Sequence, residues 1–138
     1  MTLTRDAVQA WLDRYVTAWI SFDPAAIGDL FSPDAEYRYH PADEPIVGRA
    51  AIVDSWVSPD GDASTRDKPG AYDALYEPFA VDGDRAVAVA VGWSRYWTDA
   101  SRATERTTYD NCFLLEFDAD GRCRSFTEFF RERPRPAG

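Results

Sequence analysis

Histidine and cysteine are scarce in this chain, with one histidine and two cysteines in 138 residues. Cys112 and Cys123 make no disulfide framework and have no metal-ligand spacing, so a zinc site is not expected and no cofactor is called for. Positive charge is also in the minority. Fifteen Lys and Arg stand against 24 Asp and Glu, a formal net charge of −9. Nucleic-acid binding rests on clustered basic side chains, so no nucleic-acid partner is expected and the charge reads as solubility. No apolar run approaches the roughly 20 residues that cross a bilayer, and the opening MTLTRDAVQAW has no apolar signal core. These features predict a reduced, cytoplasmic protein with no membrane partner. Internal repeats and low-complexity segments are missing too, and the length suits a single domain over residues 1–138.

Aromatic residues are plentiful: five Trp, seven Tyr and eight Phe, 14% of the chain. That is more than a minimal core needs, and it predicts a cavity lined by rings. Along the chain, Thr4–Ile20 reads as a helix with a soft start and a stripe of Val8, Leu12, Tyr15 and Trp19, widened by Trp11. Asp23-Pro24 opens a second helix, with Asp as cap and Pro at the first turn. Ile27, Leu30 and Phe31 form its apolar face, and Ser32-Pro33-Asp34 ends it. Ala35–Tyr39 reads as a short strand with Tyr37 and Tyr39 on one side. Arg49 to about Val57 is a third helix, after Gly48, carrying Ile52, Val53 and Trp56. Ser58–Gly70 is polar and rich in Gly and Pro, a mobile loop or a lid. The period then changes to two, predicting strands Tyr72–Val81, Arg85–Thr98, Thr104–Phe117 and Arg122–Arg133, with a short tail opened by Pro134 and Pro136. Turns at Asp82-Gly83-Asp84 and Asp118–Gly121 make these strands an antiparallel meander. The fold class is α+β, three N-terminal helices packed on one face of a strongly curved antiparallel sheet.

This order resembles the SnoaL-like branch of the nuclear-transport-factor-2-like superfamily. The residues that carry it are Tyr15 to Trp19, the Asp23–Phe31 helix followed by Ser32-Pro33-Asp34-Ala35, and Gly48-Arg49-Ala50-Ala51-Ile52. Asp82-Gly83-Asp84 and Asp120-Gly121-Arg122 complete it. The resemblance implies a cone-shaped half-barrel, an apolar cavity under the helices, and homodimers formed through the sheet. Ketosteroid isomerases, polyketide cyclases, scytalone dehydratase, limonene epoxide hydrolase and pure binding proteins share the fold, so function has to be argued from the site.

By the same resemblance, Tyr15 stands where ketosteroid isomerases hold an oxyanion-binding tyrosine. Their aspartate base falls at Tyr39 or His40, depending on a one-residue shift. His40, which titrates near neutral pH, is the first candidate for a base, against a solvent-edge role in the turn before Pro41. His40, Asp43 and Glu44 are weighed as metal ligands and set aside because the flanking prolines suit a surface turn. Counting back from Phe117, the cavity face of its strand is Phe113, Asn111 and Tyr109, and Asn111 suits orienting a substrate oxygen. Phe126, Glu128 and Phe130 share the next strand's cavity face, with Cys123, Ser125 and Thr127 opposite. Flanking rings would raise the Glu128 pKa toward acid–base use, unless Arg95 or Arg124 pairs with it. On the strand before these, the bulky face (Val87, Val89, Val91, Trp93, Arg95, Trp97) is placed toward the helices. The small face (Ala88, Ala90, Gly92, Ser94, Tyr96) is then left for a dimer, and the reverse assignment stays open. Trp19, Phe31, Tyr39, Trp56, Trp93 and Arg95, with Tyr109, Phe113, Phe126 and Phe130, are the candidate ligand contacts. Together they point to an apolar cyclic small molecule. An isomerase, cyclase or dehydratase working by cofactor-free proton transfer, a binder without turnover, and a dimeric interaction module all fit the sequence.

Overall fold

The computed structural model describes residues 2–57 and 70–134. All but one position of the Ser58–Gly70 loop, and the tail beyond Pro134, therefore lie outside the described residues. Helix α1 spans Arg5–Ser21. Its start is firmer than the sequence suggests, because the Thr4 hydroxyl accepts the Ala7 N–H at 3.1 Å, relieving one unpaired donor of the first turn. Helix α2, Pro24–Asp29, begins as expected with the Asp23 carboxylate accepting the Ala25 N–H at 3.2 Å. It is shorter than predicted because strand β1 already begins at Phe31 and runs to Arg38. Pro33 lies within that strand, and the pairing register shifts between Phe31 and Glu36. An irregular stretch of this kind tolerates a residue with no N–H to give. A two-residue strand β2 (Ile46–Val47) leads through Gly48, at φ +97°, into helix α3, Arg49–Val57.

The four long strands follow: β3 (Tyr72–Asp82), β4 (Val87–Trp97), β5 (Glu105–Phe117) and β6 (Cys123–Glu132). They form one open sheet in the order β2-β1-β6-β5-β4-β3. The β3 to β6 meander is antiparallel throughout, whereas β1 lies parallel to β6, so the sheet as a whole is mixed. The helices cover one face. Trp11 of α1 is fully buried among Tyr15, Phe31, Phe117 and Phe126. Its indole N–H donates to the Leu30 carbonyl at 2.9 Å, so the ring is buried with its one polar atom satisfied.

Two face assignments differ from the sequence reading. On β4 the small residues face the helices: Ala88, Ala90 and Ser94 are buried, and Val87, Val89, Val91 and Trp93 sit on the outer side. The reason is volume. Tyr76 and Phe113, from the two neighbouring strands, meet at 4.7 Å in a tilted pair over this part of the sheet and leave room only for small side chains beneath. At Gly92 even a methyl group would come within 1.9 Å of the Leu75 carbonyl oxygen. On β6, Cys123 is buried in the core instead of facing away from Phe126. A register shift between Glu116 and Phe117 brings Cys123 opposite Phe117 and breaks the strict alternation.

Candidate functional site

Between α1 and the inner face of the sheet lies a cavity of about 240 Å³. Helix α1 contributes Tyr15 and Trp19 to its wall, and Tyr39 enters from the end of β1. Tyr76 of β3, Tyr96 of β4, Arg106 and Tyr109 of β5, and Glu128 and Phe130 of β6 complete it. Each strand delivers these groups through its two-residue period: Tyr109 stands two residues before Asn111, and Phe130 two after Glu128.

Among the described residues Glu128 is the one carboxyl in that wall. The Asn111 side-chain N–H donates to its Oε2 at 2.6 Å, and the Asn111 Oδ1 in turn accepts from the Ser94 hydroxyl at 2.9 Å. Burial pushes the Glu128 carboxyl up from 4.5 to about 7, with the Asn111 hydrogen bond opposing it. Desolvation of the charged form outweighs that one bond. The two partners considered from sequence are engaged elsewhere, Arg95 with Glu105 at 3.3 Å and Arg124 with Glu116 at 3.4 Å.

Phenols surround this carboxyl. Burial holds Tyr15, Tyr37 and Tyr76 well above the ordinary tyrosine value; Glu128 adds to this at all three, and neighbouring phenols add to it at Tyr15 and Tyr37. They are therefore neutral hydrogen-bond donors at any working pH. The hydroxyls of Tyr72 and Tyr76 meet at 2.9 Å. Tyr15 is almost fully buried, its ring stacked on Phe126 at 5.5 Å while the side chain reaches the cavity.

Other sequence candidates fall outside the cavity. His40 is exposed, with its ring 4.9 Å from that of Phe130 at the outer rim. Strand β1 ends at Arg38, Tyr39 meets the Tyr37 ring edge to face at 4.7 Å, and the chain then turns away, the His40 carbonyl accepting the Asp43 N–H. Among the described residues no cluster of His, Cys, Asp and Glu could hold a metal. Asn111 has its carbonyl and its amide N–H occupied by Ser94 and Glu128, so it positions the acid and is not a ready contact for a substrate oxygen. Phe31, Trp56, Phe113 and Phe126 are core residues behind the wall. Trp19, stacked on Trp56 at 4.2 Å, separates the latter from the cavity. Trp93 and Arg95 lie on the other face of the sheet, where the guanidinium sits over the Trp93 and Trp97 rings.

Arg106, Tyr76 and Tyr96 were not picked out from sequence. For Tyr76 the signal was present, since it shares the two-residue period of Tyr72. Tyr96 was assigned to the opposite face together with all of β4. Arg106 could not be found by alternation, which puts Glu105 inward with Tyr109 and Asn111. The pairing runs Tyr96 with Thr107 and then Trp97 with Glu105, leaving Arg106 as the extra residue of a bulge. That bulge sends Glu105 out to Arg95 and brings Arg106 into the cavity, 5.3 Å over the Tyr96 ring.

The sequence profile of the SnoaL-like domain matches residues 12–126. The chain belongs to the SnoaL-like domain family. The fold is also that of a protein of unknown function with a cystatin-like fold from Methylobium petroleophilum PM1. This chain is 19% identical to it with a TM-score of 0.61, and the match covers all of this chain and 84% of that one. None of the curated proteins matches. The likeness supports an α+β nuclear-transport-factor-2-like fold, and with 265 matching chains the fold by itself selects no activity. No helix among the described residues is long and apolar enough to cross a membrane.

Proposed function

We propose that this SnoaL-like protein binds a small, largely apolar cyclic molecule carrying at least one oxygen, and that Glu128 moves a proton on it without a cofactor. The observation that carries this reading is the half-buried Glu128 carboxyl, held by Asn111 and pushed toward neutrality by desolvation in the wall of an aromatic cavity. A group poised at working pH can both take and return a proton. The cavity is smaller than the roughly 300–1,000 Å³ of drug-sized sites, which suits one or two rings. In the reaction this arrangement favours, ionised Glu128 removes a proton from the carbon beside a carbonyl. The Tyr15 phenol donates to the carbonyl oxygen as negative charge develops there. Glu128 then returns the same proton to another carbon of the conjugated enolate, so a double-bond isomer leaves and the enzyme is unchanged. Trp19, Tyr39, Tyr109 and Phe130 supply flat apolar walls.

The test is a thermal-shift screen against cyclic ketones, lactones, epoxides, phenols and aromatic acids, followed by turnover assays on any hit. Native-state binding raises the melting temperature according to RT ln(1 + [L]/Kd). A hit that keeps its binding but loses turnover in Glu128→Gln supports the reading. A hit unaffected by both Glu128→Gln and Tyr15→Phe overturns it.

A second reading concerns assembly, and it uses the sheet face opposite to the one suggested by sequence. We propose a homodimer through the outer face of β3 to β6. Leu75, Phe79, Leu114 and Phe129 are exposed large apolar residues of these strands, and they accompany the outward Val89, Val91 and Trp93. A contiguous apolar area of this kind is unusual on a monomer.

A further inference from the structure

We propose that Ser94 is a positioning residue that locks the Asn111 amide in one orientation, so that the proton of Glu128 is carried on the oxygen that Asn111 does not hold. This rests on Glu128 being the acid–base group of the cavity, but the hydrogen bonds that argue it are independent of any ligand.

The chain crosses three neighbouring strands. Asn111 on β5 uses Nδ2 toward Glu128 Oε2 on β6 and Oδ1 toward Ser94 Oγ on β4. Because Oδ1 can only accept, the Ser94 hydroxyl must donate to it. Both donors thus point the same way, from Ser94 to Glu128.

An amide rotated by half a turn would set Oδ1 against the Glu128 carboxyl oxygen, two acceptors facing each other. It would also leave the Ser94 hydroxyl proton facing an N–H. With Oε2 occupied by the Asn111 N–H, the titrating proton belongs on Oε1, for which the described residues offer no hydrogen-bond partner. The other groups that face or electrostatically reach this carboxyl are Tyr15 of α1, Tyr37 and Tyr39 at β1, Tyr76 of β3, Tyr96 of β4, and Arg106 and Tyr109 of β5. The donor that fixes Oε2 is Asn111.

The experiment is a carbon-13 NMR titration of the labelled Glu128 carboxyl, assigned by its loss in Glu128→Gln, in the wild type, Ser94→Ala, Ser94→Thr and Ser94→Cys. Ser94→Ala frees the amide to rotate, weakening its donation to the ionised carboxyl, and should move the midpoint upward by about one pH unit. Ser94→Thr keeps the hydroxyl and should restore the wild-type midpoint. Ser94→Cys puts a weak S–H donor in its place; it should move the midpoint in the same direction by less, and it carries the test if Ser94→Ala does not fold. A residue that merely fills space would lower stability and leave the midpoint alone. An unmoved midpoint in the folded Ser94→Ala and Ser94→Cys variants, or equal shifts in Ser94→Ala and Ser94→Thr, overturns the proposal.

Discussion

Replacing Glu128 by glutamine should make the protein more stable above neutral pH and leave it about as stable as wild type under acid conditions. The carboxyl titrates at about 7 in the folded protein and at 4.5 when unperturbed. Its folded value is raised, so the unfolded chain gives up its proton first. Between pH 4.5 and about 7 the folded state holds more protons, and stability falls as pH rises. The slope is about 1.4 kcal/mol per pH unit. Over the whole window the loss accumulates to about 3 kcal/mol, is complete just above pH 7, and does not grow further. Glutamine keeps the size and the acceptor that Asn111 needs and never becomes charged. The difference between the two proteins, followed by urea unfolding from pH 5 to 8.5, cancels the titration of every other group. At pH 8 the variant should melt roughly 10 °C above wild type. A difference that stays flat across this range would refute the reasoning, because the carboxyl would then be solvated in the folded state.

Other substitutions test the remaining assignments. His40→Ala should leave ligand affinity within about threefold, since the exposed ring makes only a rim contact with Phe130; a loss of binding comparable to that of a wall residue, read by calorimetry, would return His40 to the cavity. Gly92→Ala should cost about 2 kcal/mol or more in urea unfolding, because the added carbon meets the Leu75 carbonyl at 1.9 Å and must push β3 from β4. Trp11→Ala should cost about 3–5 kcal/mol, for it empties the centre of the core and removes one of the two hydrogen bonds to the Leu30 carbonyl. Sedimentation at micromolar concentration should give twice the 15.5 kDa chain mass, falling to a single chain in Leu114→Arg; a wild-type monomer would remove the dimer.

The elements that alternate or repeat without interruption could be read from the sequence. The α1 stripe from Val8 to Trp19 and the inward set Tyr109, Asn111 and Phe113 both follow from a constant period and a fixed anchor. Glu128 was legible for the same reason: it lies between Phe126 and Phe130 in a regular stretch, and two rings beside an acid imply desolvation. Its partnership with Asn111 was not legible, since alternation puts both side chains on one face without saying that they touch. The register supplies that, with Phe113 opposite Glu128 and Asn111 opposite Phe130. Asn111 and Glu128 are diagonal neighbours, within reach of an amide and a long carboxylic side chain.

The misreadings have two physical sources, and the site depends on both. The first is that bulk does not determine which face of a central strand is buried. In β4 the larger residues look like the core set, yet rings from β3 and β5 already fill the space under the helices, so the inner face takes Ala88, Ala90 and Ser94, Tyr96 reaches the cavity wall, and the valines go outside. The second is the bulge. One unpaired residue reverses the parity of everything beyond it. In β5 that exchange puts the cation Arg106 into the cavity and sends the acid Glu105 to Arg95 outside. Without it a second carboxylate would face the cavity in place of the cation. A second negative charge near Glu128 would push its titration still higher, away from neutrality. The bulge thus leaves one acid in the wall of the cavity, and it is the acid that the uninterrupted part of the sheet holds between two phenylalanines.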